Sequence, residues 1–324
     1  MAKTRQVVFA RALNEALREE FERDDSVFLV GEEVGGIFGV TRGLDRRFGE
    51  KRVRCTPISE AAFTGLAVGA AMVGLRPIVE IMYLDFVTVC WDQIANQAAK
   101  LRYMSGGQIS LPLVIRGQQG NLTREAAQHS QQIEGWCAQV PGLKVVMPAT
   151  VEDAKGLLKS AIRDDNPVIF VEHRGLYDLK GPMPKGEYTT PLGVAKVHRE
   201  GTDITVVATS LALQKALAAA EALADEISVE VVDPRTLVPL DTETILQSVR
   251  KTGRLLVAHD APVRLGFGAE VVRAVTEEAF AALQTAPRVV GGTNLPMPYS
   301  SVLEDACIPS EDDITQAIRQ VVKS

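Results

Sequence analysis

The 324-residue sequence is poor in several features that would narrow its chemistry at once. It has no GxxxxGK[ST] phosphate loop, no GxSxG nucleophile elbow and no complete GxGxxG fingerprint. Gly266-Phe267-Gly268 is a lone GxG and reads as a turn before a helix. The four cysteines, Cys55, Cys90, Cys137 and Cys307, are far apart and form no CxxC pair. That spacing excludes a zinc site and a disulfide framework, and it fits a reducing cytoplasm. The expected role of all four is that of small buried or half-buried hydrophobes. No block of Lys or Arg stands out and the net charge is −6, so a phosphate track for nucleic acid is excluded. The longest apolar region, from Gly65 onward, is interrupted by Arg76-Pro77 and Glu80, too often to span a membrane. Met1-Ala2-Lys3-Thr4-Arg5-Gln6 lacks the apolar core of a signal peptide.

What remains is a globular composition, with 46% apolar residues and a length suited to about two domains. Val7 to Glu22 has helical apolar spacing. Val27–Val30 is a short apolar run ending at Gly31, as a buried parallel strand would. A Gly-rich loop over Gly35–Gly39 and a helix over 61–73 follow. Next come a strand over Pro77–Met82 and a long helix from Phe86 to Tyr103. Leu113–Ile115, Lys144–Val146 and Val168–Val171 read as further strands, with a helix over 151–163. Strands alternating with helices predict an α/β fold with a parallel sheet covered on both faces. Gly and Pro crowd residues 174–193, a linker composition. Beyond them, strands at Ile204–Ala208, Val229–Val232 and Leu255–Ala258 alternate with helices at 211–224 and 241–250. They predict a second, smaller α/β domain.

One carboxylate stands out. Thr56-Pro57-Ile58-Ser59-Glu60 leads into a helix of small and apolar residues, Ala61 to Ala71. Ser59 can cap that helix, and Glu60 suits its dipole. The functional reading is a carboxyl group in an apolar site, its pKa raised by desolvation and able to shuttle a proton. Glu32 and Glu33 follow a buried strand, at the strand end where open α/β sheets bind ligands. A solvated loop position suits Glu33. His129 lies in a polar loop after Gly120-Asn121-Leu122-Thr123-Arg124, among Gln128, Ser130 and Gln131. There an imidazole could bind a carboxylate or manage protons. His173, His198 and His259 show no metal-ligand spacing.

Seven segments occur in order: Gly31-Glu32-Glu33-Val34, Thr56–Glu60, Gly74-Leu75-Arg76-Pro77-Ile78-Val79-Glu80, Arg102-Tyr103-Met104-Ser105-Gly106-Gly107, Ala126–Gln131, Pro141–Val146 and Ala161–Val168. Together they resemble the β subunit of the thiamine diphosphate-dependent decarboxylase component of pyruvate and other 2-oxo acid dehydrogenase complexes. Acetoin dehydrogenase β subunits belong to the same transketolase-like group. The resemblance covers nearly the whole chain. It implies a thiamine pyrimidine-binding domain over 1–180, a linker over 181–196 and a transketolase-type C-terminal assembly domain over 197–324. Val232–Leu237 and Pro239-Leu240-Asp241 match the second of these domains.

The resemblance also implies roles. Glu32, Ile58, Glu60 and Phe86 would bind the cofactor's aminopyrimidine, with Glu60 exchanging a proton with a ring nitrogen and Phe86 stacking on the ring. His129 would be catalytic beside Glu60. Leu113, Ala161, Asp164 and Asn166 match the ligands of a structural potassium. Family members hold magnesium and the diphosphate with a Gly-Asp-Gly motif, which occurs nowhere here. The chain would therefore offer half a thiamine diphosphate site and need an α subunit, in an α2β2 heterotetramer, for the other half. A dihydrolipoamide acyltransferase would be the second partner.

Three departures matter. The loop after Val34 is shorter than is usual in the family. Val89 stands where some pyruvate-type members carry Gln. Gln128 stands where branched-chain members carry a second His, which favours pyruvate or acetoin. Glu80–Phe86 and Glu172–Tyr177 are acetoin-like, whereas Pro296–Tyr299 and Gly266–Glu270 are pyruvate-like. A non-catalytic assembly subunit and a self-sufficient transketolase-like enzyme are the alternatives. Glu60 and His129 speak against the first, the missing Gly-Asp-Gly and the short length against the second.

Overall fold

The computed structural model describes residues Thr4–Ser324. The chain divides into two compact units. One runs to Gln119 and resumes over Trp136–Leu192; the other comprises Gly120–Gly135 and Gly193–Ser324.

In the first unit six strands form a parallel sheet. Their order is Lys144–Val146, Val168–His173, Val114–Gln119, Arg76–Tyr83, Val27–Gly31 and Val53–Cys55. The central strands are buried along almost their whole length, as a sheet covered on both faces requires. Helix Val151–Arg163 matches its expected range. Thr150 caps it by accepting from Asp153 N at 3.2 Å, and Asp164 and Pro167 end it. It packs on helix Phe9–Arg23, and ion pairs bind the two. Arg163 meets Glu20 at 2.5 Å, while Lys155 and Lys159 meet Glu19 at 2.5 and 2.6 Å.

Two expectations are corrected. The amphipathic helix begins at Phe9, and Thr4–Val8 before it is a strand, antiparallel to Lys180–Pro184. Thr4–Val8 finds its partner only across most of the unit, so local pattern could not announce either strand. The helix expected over 86–103 is a mixed helical path. It comprises a 3-10 turn at Leu84–Thr88, a π-helical stretch at Gln93–Ala98 and a short α-helix at Leu101–Met104. The wider π turn buries Ile94 and Ala98 on one face.

The second unit has a five-stranded sheet in the order Arg288–Gly292, Leu255–Pro262, Ile204–Ala208, Val229–Asp233, Lys196–Arg199. Its pairings are parallel except at the Lys196–Arg199 edge. Helices Ser210–Ala222, Thr242–Thr252, Phe267–Ala279 and Glu311–Lys323 accompany it. No helix among the described residues is long and apolar enough to cross a membrane.

A charged cluster lies inside the first sheet. Arg116, on the strand Val114–Gln119, is flanked in register by the strands of Glu80 and Glu172. It donates to both Glu172 oxygens, at 2.5 and 2.6 Å, and meets Glu80 Oε2 at 2.9 Å. All three are buried. Tyr177 donates its hydroxyl proton to Glu172 at 2.5 Å. Burial pushes the Glu80 carboxyl up despite Arg116, and the Thr41 hydroxyl donates to it. Replacing Arg116 by Leu leaves two carboxyl groups buried without their cation. Arg116→Leu is therefore expected to lose about 3–5 kcal/mol of stability, measured by urea unfolding. A loss under 1 kcal/mol would show that the cluster is not structural.

Candidate active site

The site grows from two neighbouring strands. Val27–Gly31 and Val53–Cys55 run parallel, with Gly31 opposite Cys55, so both chains leave the sheet at the same edge. Thr56 N donates to Gly31 O at 2.9 Å and the Cys55 thiol to Glu32 O, holding the two exits side by side. Glu32 follows one strand directly. Glu60 opens helix Glu60–Met72 just beyond the other. Gly31 is required here, because a Cβ would lie 2.6 Å from Glu80 O.

The consequence is a carboxyl pair. Glu32 and Glu60 hydrogen-bond to each other side chain to side chain. Glu32 is half-buried and Glu60 buried. The Glu32 carboxyl is pushed up to about 7. Desolvation is the main cause, followed by the hydrogen bond to Glu60 and the charges of Glu60 and Glu33. Two carboxyls in such contact hold one proton between them near neutral pH, and the titration belongs to the pair. The apolar neighbourhood includes Cys90, whose thiol burial pushes up to about 11. Ser59 occupies the N-cap position, but its side chain makes no capping hydrogen bond.

An aromatic path runs along the same strand end. Phe86 lies half-buried in the turn Leu84–Thr88. Tyr83 meets it edge-on at 6.2 Å, and Phe38 meets Tyr83 at 5.6 Å. The Arg174 guanidinium covers the rings of Phe38 and Tyr177 at 5.3 and 5.2 Å. The short loop after Val34 is thus pinned by Phe38, by Thr41 on Glu80, and by Asn14, which donates to Val40 O at 2.7 Å. Ile58 is 80% exposed, an apolar side chain presented on the approach to Glu60.

Sequence reading stopped its strand at Ile115 and so missed Gln118. The strand continues to Gln119, and the Gln118 amide is buried with no partner among the described residues. A buried orphan amide at a parallel strand's C-terminal end is what a ligand-contacting side chain looks like without its ligand. Its signal was the polar pair Gln118-Gln119 closing an apolar strand. Phe38, Tyr83 and Arg174 also went unnoticed, because an aromatic path shows no sequence period. His129 is half-buried, in the segment Gly120–Gly135 of the second unit.

At the loop after helix Val151–Arg163, internal donors are already at work. Leu113 O accepts from Val168 N and Ala161 O from Asp164 N. The Asp164 carboxylate takes Lys144 and both nitrogens of Asn166, and Arg76 reaches Ile162 O and Asp164 O at 3.1 Å. Lys144 holds the Asp164 carboxyl below its usual range against the opposing effect of burial. Leu113 O and Ala161 O each keep a second lone pair for a cation, while the Asp164 carboxylate is taken by Lys144 and Asp164 O already faces the Arg76 guanidinium. Of the cysteines, Cys90, Cys137 and Cys307 are buried and Cys55 is exposed; all four are free thiols.

Comparison with known proteins agrees with this architecture. The family model of the transketolase pyrimidine binding domain matches residues 5–180, and that of the transketolase C-terminal domain matches residues 193–314. A split-gene transketolase, described as an inactive β4 tetramer, shares the fold with a TM-score of 0.79 at 22% identity over 98% of both chains. The chain belongs to this transketolase-type family, within the group of pyruvate dehydrogenase E1 and acetoin dehydrogenase β subunits. It is 48% identical to the β subunit of the pyruvate dehydrogenase E1 component of Rickettsia conorii, over 98% of both chains. It is 46% identical to the β subunit of acetoin:2,6-dichlorophenolindophenol oxidoreductase of Cupriavidus necator, over 96% of both.

The carboxyl pair makes stability depend on pH. The folded pKa of Glu32 lies above its unfolded value, so the folded state holds its proton more tightly. Its contribution is fully present below about pH 4.5 and is lost as pH rises through about 7. Urea unfolding from pH 4.5 to 8 is expected to show Glu32→Gln gaining stability relative to the unmodified protein as pH rises. A difference that stays flat across this window would rule out the shared proton.

Proposed function

We propose that the chain is the β subunit of a thiamine diphosphate-dependent 2-oxo acid dehydrogenase that decarboxylates pyruvate and passes the acyl group to a lipoyl disulfide. In this reading residues 1–180 bind the pyrimidine, 181–196 link, and 197–324 serve assembly. An α subunit completes an α2β2 heterotetramer in the cytoplasm and brings the diphosphate and magnesium ligands. A dihydrolipoamide acyltransferase receives the product. The observation that carries the reading is the hydrogen-bonded Glu32–Glu60 pair at the edge of the parallel sheet, with a carboxyl that titrates near neutrality.

When bound, thiamine diphosphate supplies a nucleophilic carbon and an electron sink for decarboxylation. The chain's own groups handle protons and position. Glu60 would hold a hydrogen bond to an aminopyrimidine nitrogen when the cofactor is bound, and would exchange its proton there. Glu32 stores or returns the proton, and a pKa near 7 suits that exchange at working pH. Phe86 offers a ring face for stacking, and Ile58 keeps water from the approach. His129 binds the substrate carboxylate or moves a proton at its imidazole during acyl transfer. Leu113, Ala161, Asp164 and Asn166 would hold a potassium ion that steadies the loop; a melting temperature higher in potassium than in choline chloride is the expected outcome.

Acetoin cleavage is the second reading, favoured by the segments Glu80–Phe86 and Glu172–Tyr177. Relative turnover of pyruvate and acetoin by the assembled enzyme decides between them.

Glu60→Gln keeps size and hydrogen bonding but removes the exchangeable proton. With its α partner, Glu60→Gln should assemble normally and lose about two to four orders of magnitude in decarboxylation, assayed with an artificial electron acceptor. Near-normal turnover, with a loss of about 1 kcal/mol in stability, would reduce Glu60 to a helix-end carboxylate.

A further inference from the structure

The segment Gly120–Gly135 has an unusual backbone. Leu122, Arg124 and Ala126 all take positive φ, at 76°, 61° and 62°. Side chains with a Cβ avoid this region, and three alternating cases persist only where surrounding contacts over-determine them. The contacts come from the short helix Ser301–Asp305, and chiefly from one buried carboxylate on it. Glu304, in the short helix Ser301–Asp305, is fully buried. Its Oε1 accepts from Leu122 N at 2.6 Å, and its Oε2 accepts from Arg124 Nη1 at 2.8 Å. The same Arg124 nitrogen also donates to Ser301 O at 3.1 Å and to Asp305 Oδ1 at 2.7 Å. One buried acid thus fixes two of the three left-handed residues. His129 follows within the same segment, its N–H on Ala126 O at 3.4 Å, and Ala126 is the third left-handed residue.

We infer that Glu304 and Arg124 form a latch that positions His129 for its step in the reaction. They touch no reacting atom; they hold the strained backbone from which the imidazole is presented. This use explains why a carboxylate is buried at Glu304, far along the sequence from the segment it serves. A group buried only for stability would be served as well by an apolar side chain. The inference rests on the proposed role of His129 in acyl transfer.

The test uses the enzyme assembled with its α partner. Glu304→Gln keeps an acceptor for Leu122 N and removes the buried half of the ion pairing of Arg124, leaving its pair with the exposed Asp305. Arg124→Gln removes the pair from its other side, at a half-buried position, and carries the same test if Glu304→Gln fails to fold. Each is expected to slow reductive acylation of lipoyl by about tenfold to a hundredfold in single turnover. Decarboxylation with an artificial acceptor should stay within about twofold, because the latch rests on the acyl-transfer role of His129 and not on its binding of the substrate carboxylate. Combined with His129→Ala, neither variant should slow acylation further, because the latch acts through that side chain. Losses that multiply in the combined variants, or acylation unchanged in the single ones, overturn the latch. His129→Ala alone separates the two ideas: unchanged acylation would defeat the role of His129. Amide hydrogen exchange over residues 120–135 then still judges the latch. Exchange faster by at least about tenfold in Glu304→Gln supports it, and unchanged protection overturns it.

Discussion

The site depends on a guanidinium buried in the middle of a parallel sheet. Arg116 bridges carboxylates on the two flanking strands, and each is tied in turn to something nearer the sheet's edge. Glu80 accepts from Thr41 in the loop after Val34, and its backbone presses on Gly31. Glu172 accepts from Tyr177, whose ring lies under Arg174. Arg174 covers Phe38, and Phe38 leads through Tyr83 to Phe86. A buried ion pair is weak evidence for stability. Its use here is geometric, since it fixes where three strand ends and one short loop stand relative to the carboxyl pair. The loop is short for the family, yet its pinning at Phe38, Val40 and Thr41 makes it a defined wall beside Glu32.

Within that frame the two carboxyls do what neither does alone. An isolated Glu at a helix N-terminus is favoured in its ionised form by the helix dipole. A second carboxyl in hydrogen-bond contact opposes double ionisation, so one proton stays with the pair. The structure places the raised titration on Glu32 because desolvation acts there together with Glu60 and Glu33. The shared proton belongs to the contact between two strand exits. A change at Gly31 or Cys55 that moved the exits apart would alter it without touching either acid.

Much of this was legible in the sequence where one segment carries its own signal. The helix expected over 151–163, ended before Pro167, has those same bounds in the fold. Ile204–Ala208 showed a bounded apolar run. Glu60 stood out because a charge opened an apolar helix. Features that depend on distant partners stayed hidden. Thr4–Val8 is a strand only because Lys180–Pro184 pairs with it, and the latter looked like linker. The helix expected over 86–103 hid its π stretch, since 3.6 and wider periods differ little over six residues. Gln118 required knowing that the strand continued, and Glu304 required the fold to bring its helix to Leu122. The raised pKa of Glu32 stayed hidden for the same reason: desolvation is a property of packing, and sequence shows only neighbours along the chain.

The resources of this chain are uneven in a way that constrains its chemistry. Proton handling is present in the Glu32–Glu60 pair, and ring surfaces in Phe86, Tyr83 and Phe38. The sequence motifs that bind a diphosphate, a P-loop or Gly-Asp-Gly, are absent. The basic groups deep in the first unit are spent on internal carboxylates: Arg116 on Glu80 and Glu172, Lys159 on Glu19, Arg163 on Glu20. Diverting any of them to a phosphate would leave a carboxylate buried without its cation, which costs more than an exposed site would. Evolution of a complete cofactor site on this chain would therefore require new loops, whereas a partner that brings cations and a metal ligand set requires none. In the proposed enzyme, a cofactor divided between two subunits would follow from where this fold has already placed its charges.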